Sequence, residues 1–456
     1  MTALEQIARY IHETHDSLVG QTEMTAAQRL LVDAVGCAIA GARSRVATTV
    51  YEASQSRGRL PDASVIGFPD KAAIEDAVLN NSASIRALDF NDTYAGRNNL
   101  HPSEIVIPLV LAFAERGKWS GAEVLRAIAR GYDLDIRLAE AIGPLLPNGW
   151  APNATIGQIA GAGLAAQLMG LGQDQIAHAM AINVIHNATL GAVFKDGLSM
   201  AKSLASGFVV QNGVQAARLA CHGVTGPLRV IEGKAGFVEM VAKDFDGDAL
   251  TQPHEPPAIT RIWLKAYPTM FHFHPSIEAA VQLRSEAGFD ARDIIEVDVQ
   301  VTEGVARTAA SPEHWQVTSH EDAQFSLPYS VATSLAYGRC NPEQFTDEAL
   351  KDEIVREVLS KLRVTPDASL DAGGHPQPSR VTIQLAGGTT VEKWVRFPKG
   401  HPENPLSNPD LQAKFRLLAG PVVGEERTER LLGLLEQLES TQDIEPVFAH
   451  LRRTPG

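Results

Sequence analysis

Cysteine is scarce: Cys37, Cys221 and Cys340 are the only three in 456 residues, and they lie far apart. No Cys-x-x-Cys pair is present, which argues against a disulfide framework and against a compact zinc or iron–sulfur site. Cys37 falls in the largely apolar run from Leu30 to Ala40 and reads as core. This cysteine usage fits a reducing cytosol, so a cytoplasmic location is expected. Aromatic residues are also few, at 6%, whereas glycine alone contributes 37 residues. Small residues let helices approach closely, so a helix-rich body is expected. Basic residues are outnumbered, 40 Lys and Arg against 54 Asp and Glu, for a net charge of −14. That balance excludes a broad nucleic-acid or membrane-surface footprint. It leaves room for an anionic small molecule, because a few cations at one site outweigh a distant acidic surface. No window approaches about 18 uninterrupted apolar residues, so no spanning helix is expected. Met1 to Tyr10 contains Glu5 and no basic leader region, so no signal peptide is expected. Gly-x-Ser-x-Gly and P-loop motifs are missing, which removes support for serine hydrolases and nucleotide triphosphatases.

The length allows roughly two or three domains, and 44% hydrophobic content can bury large cores. Helical periodicity dominates to about residue 245. It predicts helices over Thr25–Ala40, Lys71–Leu88, Glu104–Arg116, Ser120–Ala141, Thr155–Met169, Asp174–Asn187 and Met200–His222. Ser120 with Glu123 makes a capping box, and Asp174 after Gly172 opens another helix. The run Gln252-Pro253-His254-Glu255-Pro256-Pro257 then marks a domain edge. Beyond it, Ile295, Val297, Val299 and Val301 alternate with polar residues as a half-buried strand. Val381, Ile383 and Leu385, followed by Gly387-Gly388 and Thr390–Phe397, predict a β-hairpin. Helical pattern returns at Ser276–Ala287, Asp347–Lys361, Pro409–Leu418 and Glu425–Leu438. The expected fold is mainly α: a large all-helical domain over 1–262 and 400–456, with a smaller α+β lid domain over 263–399. A cleft between two such domains is a favoured ligand site.

Several polar groups stand out from this apolar background. Asp89-Phe90-Asn91-Asp92-Thr93 is followed by His101-Pro102-Ser103-Glu104, between two apolar helical patterns. Each residue alone could merely cap a helix end. Together they place carboxylates, hydroxyls and an imidazole where a packed scaffold can hold them. Lys202, in Ser199-Met200-Ala201-Lys202-Ser203, opens an Ala- and Gly-rich helix and is either a solvated cation or a substrate-facing charge near a helix start. His272 and His274 are two apart, and in an extended chain they would point the same way. They suit acid–base or carboxylate-binding work better than zinc, which needs a third ligand. Tyr329, in Phe325-Ser326-Leu327-Pro328-Tyr329, is either a core tyrosine with one hydrogen bond or a site hydroxyl. Gly161-x-Gly163-x-x-Ala166 resembles a dinucleotide fingerprint but follows no strand, so close helix packing explains it better.

The motifs DFNDT at 89–93, HPSE at 101–104, MAKS around Lys202, TGP and EG within 225–233, YP…FHFHPSIEAA at 267–280, FSLPY at 325–329 and FPKGHPENPL at 397–406 occur in the order seen in one family. The chain resembles the MmgE/PrpD family of 2-methylcitrate dehydratases, cis-aconitate decarboxylases and iminodisuccinate epimerases, from Thr25 to about Leu438. The resemblance implies a helical domain with an α+β lid, a homodimer, and a site needing no metal or organic cofactor. It implies catalytic roles for His101, Asp89, Lys202, His274 and Tyr329. Thr93, Asp92, Arg97, His272 and Lys265 complete the expected set as substrate contacts. His101 is the expected base or acid, with Asp89 orienting it, and Lys202, helped by Arg97, neutralises substrate carboxylates. One departure is Ala151, where several relatives carry a histidine. The implied activity is a dehydratase acting on a 2-methylcitrate-like tricarboxylate by proton removal next to a carboxylate. An amino-dicarboxylate epimerase, a cis-aconitate-type decarboxylase and a small-molecule binding protein on the same fold are the alternatives.

Overall fold

The expected helical runs fold as helices, with ends set by local capping and by breaks that periodicity does not register. A computed structural model of the chain describes residues 1–13, 19–56, 61–146, 149–195, 198–371 and 377–453. The chain divides into two units. The first comprises Met1–Ala87, Asn91–Ile262 and Ser407–Gly456, and the second Leu88–Phe90 and Trp263–Leu406.

The first unit is built from α1 (Ala3–Glu13), α2 (Gln21–Gly41), α3 (Arg45–Gln55), α4 (Ile74–Arg86), α5 (Ser103–Gly117), α6 (Gly121–Ala141), α7 (Pro152–Leu168), α8 (Gln173–Val184), α9 (Ala205–Cys221) and α10 (Phe237–Met240). Two short pairs join it: β1 (Ala63–Ser64) with β2 (Lys71–Ala72), and β3 (Tyr94–Ala95) with β4 (Asn99–Leu100). Lys71 therefore opens a strand pair rather than the predicted helix, which starts only at Ile74. Ser120 caps α6 through the expected box, accepting from the Glu123 amide while Glu123 returns to the Ser120 amide. The predicted run Met200–His222 is broken: Met200–Leu204 is a 3₁₀ turn, and α9 begins at Ala205. The glycines of α7 serve packing. A Cβ on Gly213 of α9 would come within 3.0 Å of the Ala162 nitrogen, and one on Gly157 within 2.7 Å of Ile105 Cδ1. Small residues thus set how closely α7, α9 and α5 approach.

The second unit contains α11 (His274–Ala287), β5 (Ile294–Val301), α12 (Glu303–Ala309), α13 (His320–Gln324), α14 (Leu327–Tyr337), α15 (Glu353–Ser360), β6 (Leu362–Pro366), β7 (Ser379–Leu385) and β8 (Thr390–Val395). Its sheet has the order β6-β5-β7-β8, parallel between β5 and β6 and antiparallel elsewhere. Gly387 and Gly388, at φ +93° and +87°, make the β7–β8 turn that other residues adopt at a steric cost. A bulge between Ile294 and Glu296 changes the face of β5, so Ile294 is buried and Ile295 is 58% exposed. Ile295 was expected inside. Val297, Val299 and Val301 do point inward, onto Phe273, Ile277, Leu335 and Phe345.

The first unit resumes with α16 (Asn408–Val423), α17 (Glu425–Glu436) and α18 (Glu445–Leu451). Buried Lys414 on α16 pairs with Asp33 on α2 at 2.6 Å, which ties this return to the N-terminal helices. The division falls at 406/407, not at 399/400 as expected. Leu264 donates its amide to the Gly400 carbonyl at 3.1 Å, and the His401 ring meets Trp263 edge-on at 4.4 Å. Among the described residues, no helix is long and apolar enough to cross a membrane.

Leu88–Phe90 groups with the second unit through one contact that crosses 176 positions of sequence. Lys265, 1% exposed, gives its ammonium to the Asp89 carboxylate and, at 3.0 Å, to the Asp89 carbonyl. Asp89 itself sits at φ +48°, a left-handed conformation that aspartate tolerates better than most residues. Removing one partner of a buried pair strands the other charge. Lys265→Met and Asp89→Asn should each destabilise the fold by about 3–5 kcal/mol. In denaturant titrations the double variant should lose clearly less than the sum, and strict additivity would show that the pair is not coupled.

Candidate active site

The loop that carries His101 is shaped by hydroxyls and amides committed to the main chain. After Asn91 the chain forms the β3–β4 hairpin, with Tyr94 opposite Leu100. Thr93 closes it by donating its hydroxyl to the Leu100 carbonyl at 3.1 Å. Asp92 and His101 are thereby brought together at the hairpin's base. His101 Nδ1 lies 2.7 Å from the Asp92 carbonyl oxygen. A carbonyl can only accept, so Nδ1 carries a proton there, and in the neutral ring the basic lone pair is on Nε2. Pro102 then starts the turn into α5, whose first amides return to the His101 and Pro102 carbonyls.

Behind His101 lies a buried set of acidic groups. The Asp92 carboxylate accepts from the Ser103 hydroxyl at 2.5 Å and from the Tyr132 hydroxyl of α6 at 2.7 Å. Burial outweighs those bonds and pushes the Asp92 carboxyl up to about 7. Glu104 pairs with Arg86 of α4 at 3.3 Å and accepts from Asn91 and Asn153, each at 3.2 Å. Asp135, one turn beyond Tyr132, is fully buried, and among the described residues neither carboxylate oxygen has a hydrogen-bond partner. Burial first, then the charges of Asp92 and Glu104, push it up to about 8. Asp135 is therefore largely uncharged at neutral pH.

Asn153 was not foreseen. It stands in the first turn of α7 and accepts the His101 amide on Oδ1 at 2.7 Å. Its Nδ2 donates to Ser206 at 2.8 Å as well as to Glu104. Ser206 stands in the first turn of α9, four residues after Lys202, which is 2% exposed within the 3₁₀ turn Met200–Leu204. His101 and the Lys202 segment thus share a tether. Tyr132 and Asp135 were legible only as polar residues inside a helical run, and Asn153 lay before the helix predicted from Thr155. Ala151 is the buried N-cap residue of α7 and offers no proton-transfer group.

Other expected site residues have structural commitments. Arg97 is exposed, 2.7 Å from Asp244 and 3.2 Å from the Glu140 carbonyl. Thr93 donates its proton within the hairpin, and Asp92 uses its carboxylate on Ser103 and Tyr132. Asp89 was expected to orient His101, but the Asp92 carbonyl holds Nδ1, and Asp89 accepts from Lys265.

In the second unit, Phe271–Phe273 is a 3₁₀ turn leading straight into α11. His272 and His274 therefore do not project together as they would from an extended chain. His274 is buried against Tyr267, ring centroids 5.3 Å apart, and half-buried His272 lies on Phe271 at 4.0 Å. Tyr329 donates its hydroxyl to the Gln344 carbonyl at 2.6 Å, and burial raises it above the usual phenol range. This is the core-tyrosine arrangement. Among the described residues, no group of three or more His, Cys, Asp or Glu is placed to hold a metal ion.

A helical unit presenting an imidazole beside buried carboxylates, with a separate α+β unit, defines a two-domain class, and sequence comparison names it. Residues 5–249 match the MmgE/PrpD N-terminal domain and residues 267–440 the MmgE/PrpD C-terminal domain. The chain belongs to the MmgE/PrpD family. It is 29% identical to a cis-aconitate decarboxylase of Aspergillus terreus over 449 residues, covering 92% of this chain and 90% of that protein. It is 25% identical to the cis-aconitate decarboxylase of Homo sapiens, covering 96% and 92%. A 2-methylcitrate dehydratase of Cupriavidus necator is 25% identical, covering 86% and 84%.

The uncharged Asp135 has a pH signature. Its folded-state pKa is raised above the unfolded value, so its stabilising contribution is complete below about pH 4 and is lost as pH rises to about 8. Asp135→Asn removes that loss. Its Tm relative to the parent protein should climb between pH 5 and pH 8.5, by about 1–2 °C for each kcal/mol recovered. A pH-independent difference would show that Asp135 ionises normally in the fold.

Proposed function

We propose that the protein is a lyase of tricarboxylic acids that dehydrates a 2-methylcitrate-like substrate, with His101 as the proton-transfer group. The observation that carries this reading is the bond from His101 Nδ1 to the Asp92 carbonyl, which presents Nε2 as the base. A C–H next to a carboxylate is weakly acidic. Its removal needs a positioned base and a cation to hold the negative charge that develops. In the proposed step the proton goes to Nε2. The C–H electron pair becomes the new C=C bond, and the adjacent hydroxyl leaves, taking a proton, as water. Lys202, with a compact ammonium charge, is assigned to a substrate carboxylate. Its segment is tied to His101 through Asn153 and Ser206. Tyr329, whose hydroxyl donates to the Gln344 carbonyl, is given no role in this step. No step in this sequence calls for a metal or organic cofactor.

A second reading is decarboxylation of a cis-aconitate-like acid. It is favoured by the higher identity to the Aspergillus terreus decarboxylase than to the Cupriavidus necator dehydratase. There the C–C bond breaks, CO₂ leaves with the electron pair staying on carbon, and an imidazolium already protonated from solvent donates its proton to that carbon. Both readings develop negative charge on a carbon of a polycarboxylate and move a proton, so both rest on His101 and Lys202.

Incubation in D₂O with 2-methylcitrate, citrate, cis-aconitate and amino-dicarboxylates separates them. Dehydration should give alkene absorbance, and CO₂ release would favour the second reading. Deuterium uptake without either would mean epimerisation. His101→Gln and Lys202→Ala should each lower kcat about 10²-fold or more. Near-normal turnover in both variants, or a wild-type protein silent on every substrate, would overturn the proposal. Dialysis against a chelator should leave the rate unchanged.

A further inference from the structure

We infer that Asn153 is a positioning residue for His101, setting the register between the imidazole and the Lys202 segment. The inference rests on the reading of His101 as the proton-transfer group. Three of the amide's four hydrogen-bonding positions are used, on the His101 main chain, α5 and α9. Oδ1 accepts the His101 main-chain N–H at 2.7 Å. Nδ2 donates to Glu104 of α5 at 3.2 Å and to Ser206 of α9 at 2.8 Å. A hydroxyl is too short to span these elements, and a carboxylate lacks both donors. The His101 ring is therefore held at two places, by the Asp92 carbonyl on Nδ1 and by Asn153 at its own backbone. The titratable and charged groups around this network are Asp92, Glu104, Arg86, Tyr132 and Asp135. Ser206 lies four residues after Lys202, so the same amide fixes the cation's segment relative to the base. A shift of about 1 Å between such groups costs up to roughly 10²-fold in rate.

Two variants separate positioning from folding. Asn153→Ala removes all three bonds. Asn153→Asp keeps the acceptor for His101 but sets a second carboxylate against Glu104, so the thermal unfolding of both variants is measured before their profiles are compared. Asn153→Asp also places a negative charge near the imidazole, which favours the protonated ring. Asn153→Ala should lower kcat about tenfold with KM changed less than twofold. Asn153→Asp should move the acid limb of the kcat/KM profile upward by about one pH unit.

A readout free of turnover is the pH dependence of diethyl pyrocarbonate modification at His101, followed by peptide mass spectrometry. In Asn153→Asp its midpoint should rise by the same amount, because only unprotonated Nε2 reacts. Modification profiles of both variants that superimpose on the parent protein's, with kcat within twofold, would overturn the inference. If the parent protein turns over no substrate, the functional reading fails, and the modification profiles still decide the role of Asn153.

Discussion

A carboxylate inside a packed helical interior must gain donors or lose its charge, and the His101 loop depends on how three of them meet that demand. Asp92 gains the Ser103 and Tyr132 hydroxyls, Glu104 gains Arg86, Asn91 and Asn153, and among the described residues Asp135 gains none. Leaving a buried polar group without a partner costs about 1–3 kcal/mol, and more if it is charged. The donors that satisfy Asp92 and Glu104 come from α4, α5, α6 and α7, so the same bonds that make these charges tolerable pin the hairpin to four helices. The Asp92 main chain is thereby fixed, and its carbonyl fixes the imidazole. Catalytic geometry of this kind is rigid because its supporting groups have no other way to be satisfied.

Much of this was legible in the sequence, for identifiable reasons. Long helices with strong periodicity, such as α5 and α6, were expected within a few residues, and Ser120 with Glu123 announced the start of α6. The hairpin of β7 and β8 followed from alternation and the Gly387-Gly388 turn. Breaks were harder to see. The 3₁₀ turn at Met200–Leu204 keeps helical spacing, and so hides inside a helical pattern. The bulge in β5 moves Ile295 to solvent without altering the alternation that follows. Short β6 carries only two apolar side chains before Pro366, too few to read as a strand.

The polar residues were found more readily than their partners. The DFNDT and HPSE stretches identified where the loop lies, but not that Asp89 answers Lys265 while Asp92 answers Ser103 and Tyr132. Adjacent carboxylates look alike in sequence. Here they differ because Asp89 sits in a left-handed turn and groups with the second unit. Asn153 carried no motif at all, and its importance comes from three partners contributed by separate elements. Family membership fixes the architecture, whereas the particular reaction is not fixed by it. Ala151 adds to this, since a methyl group there transfers no proton.

The central claim is that His101 rests as the Nδ1–H tautomer with Nε2 as its basic nitrogen. Nitrogen-15 NMR of protein labelled at histidine tests it directly, with the His101 signals assigned by their loss in His101→Gln. At a pH where the ring is neutral, the account predicts a protonated, pyrrole-type Nδ1 and an unprotonated, pyridine-type Nε2. The reverse pattern, or averaged shifts showing both tautomers, would contradict it.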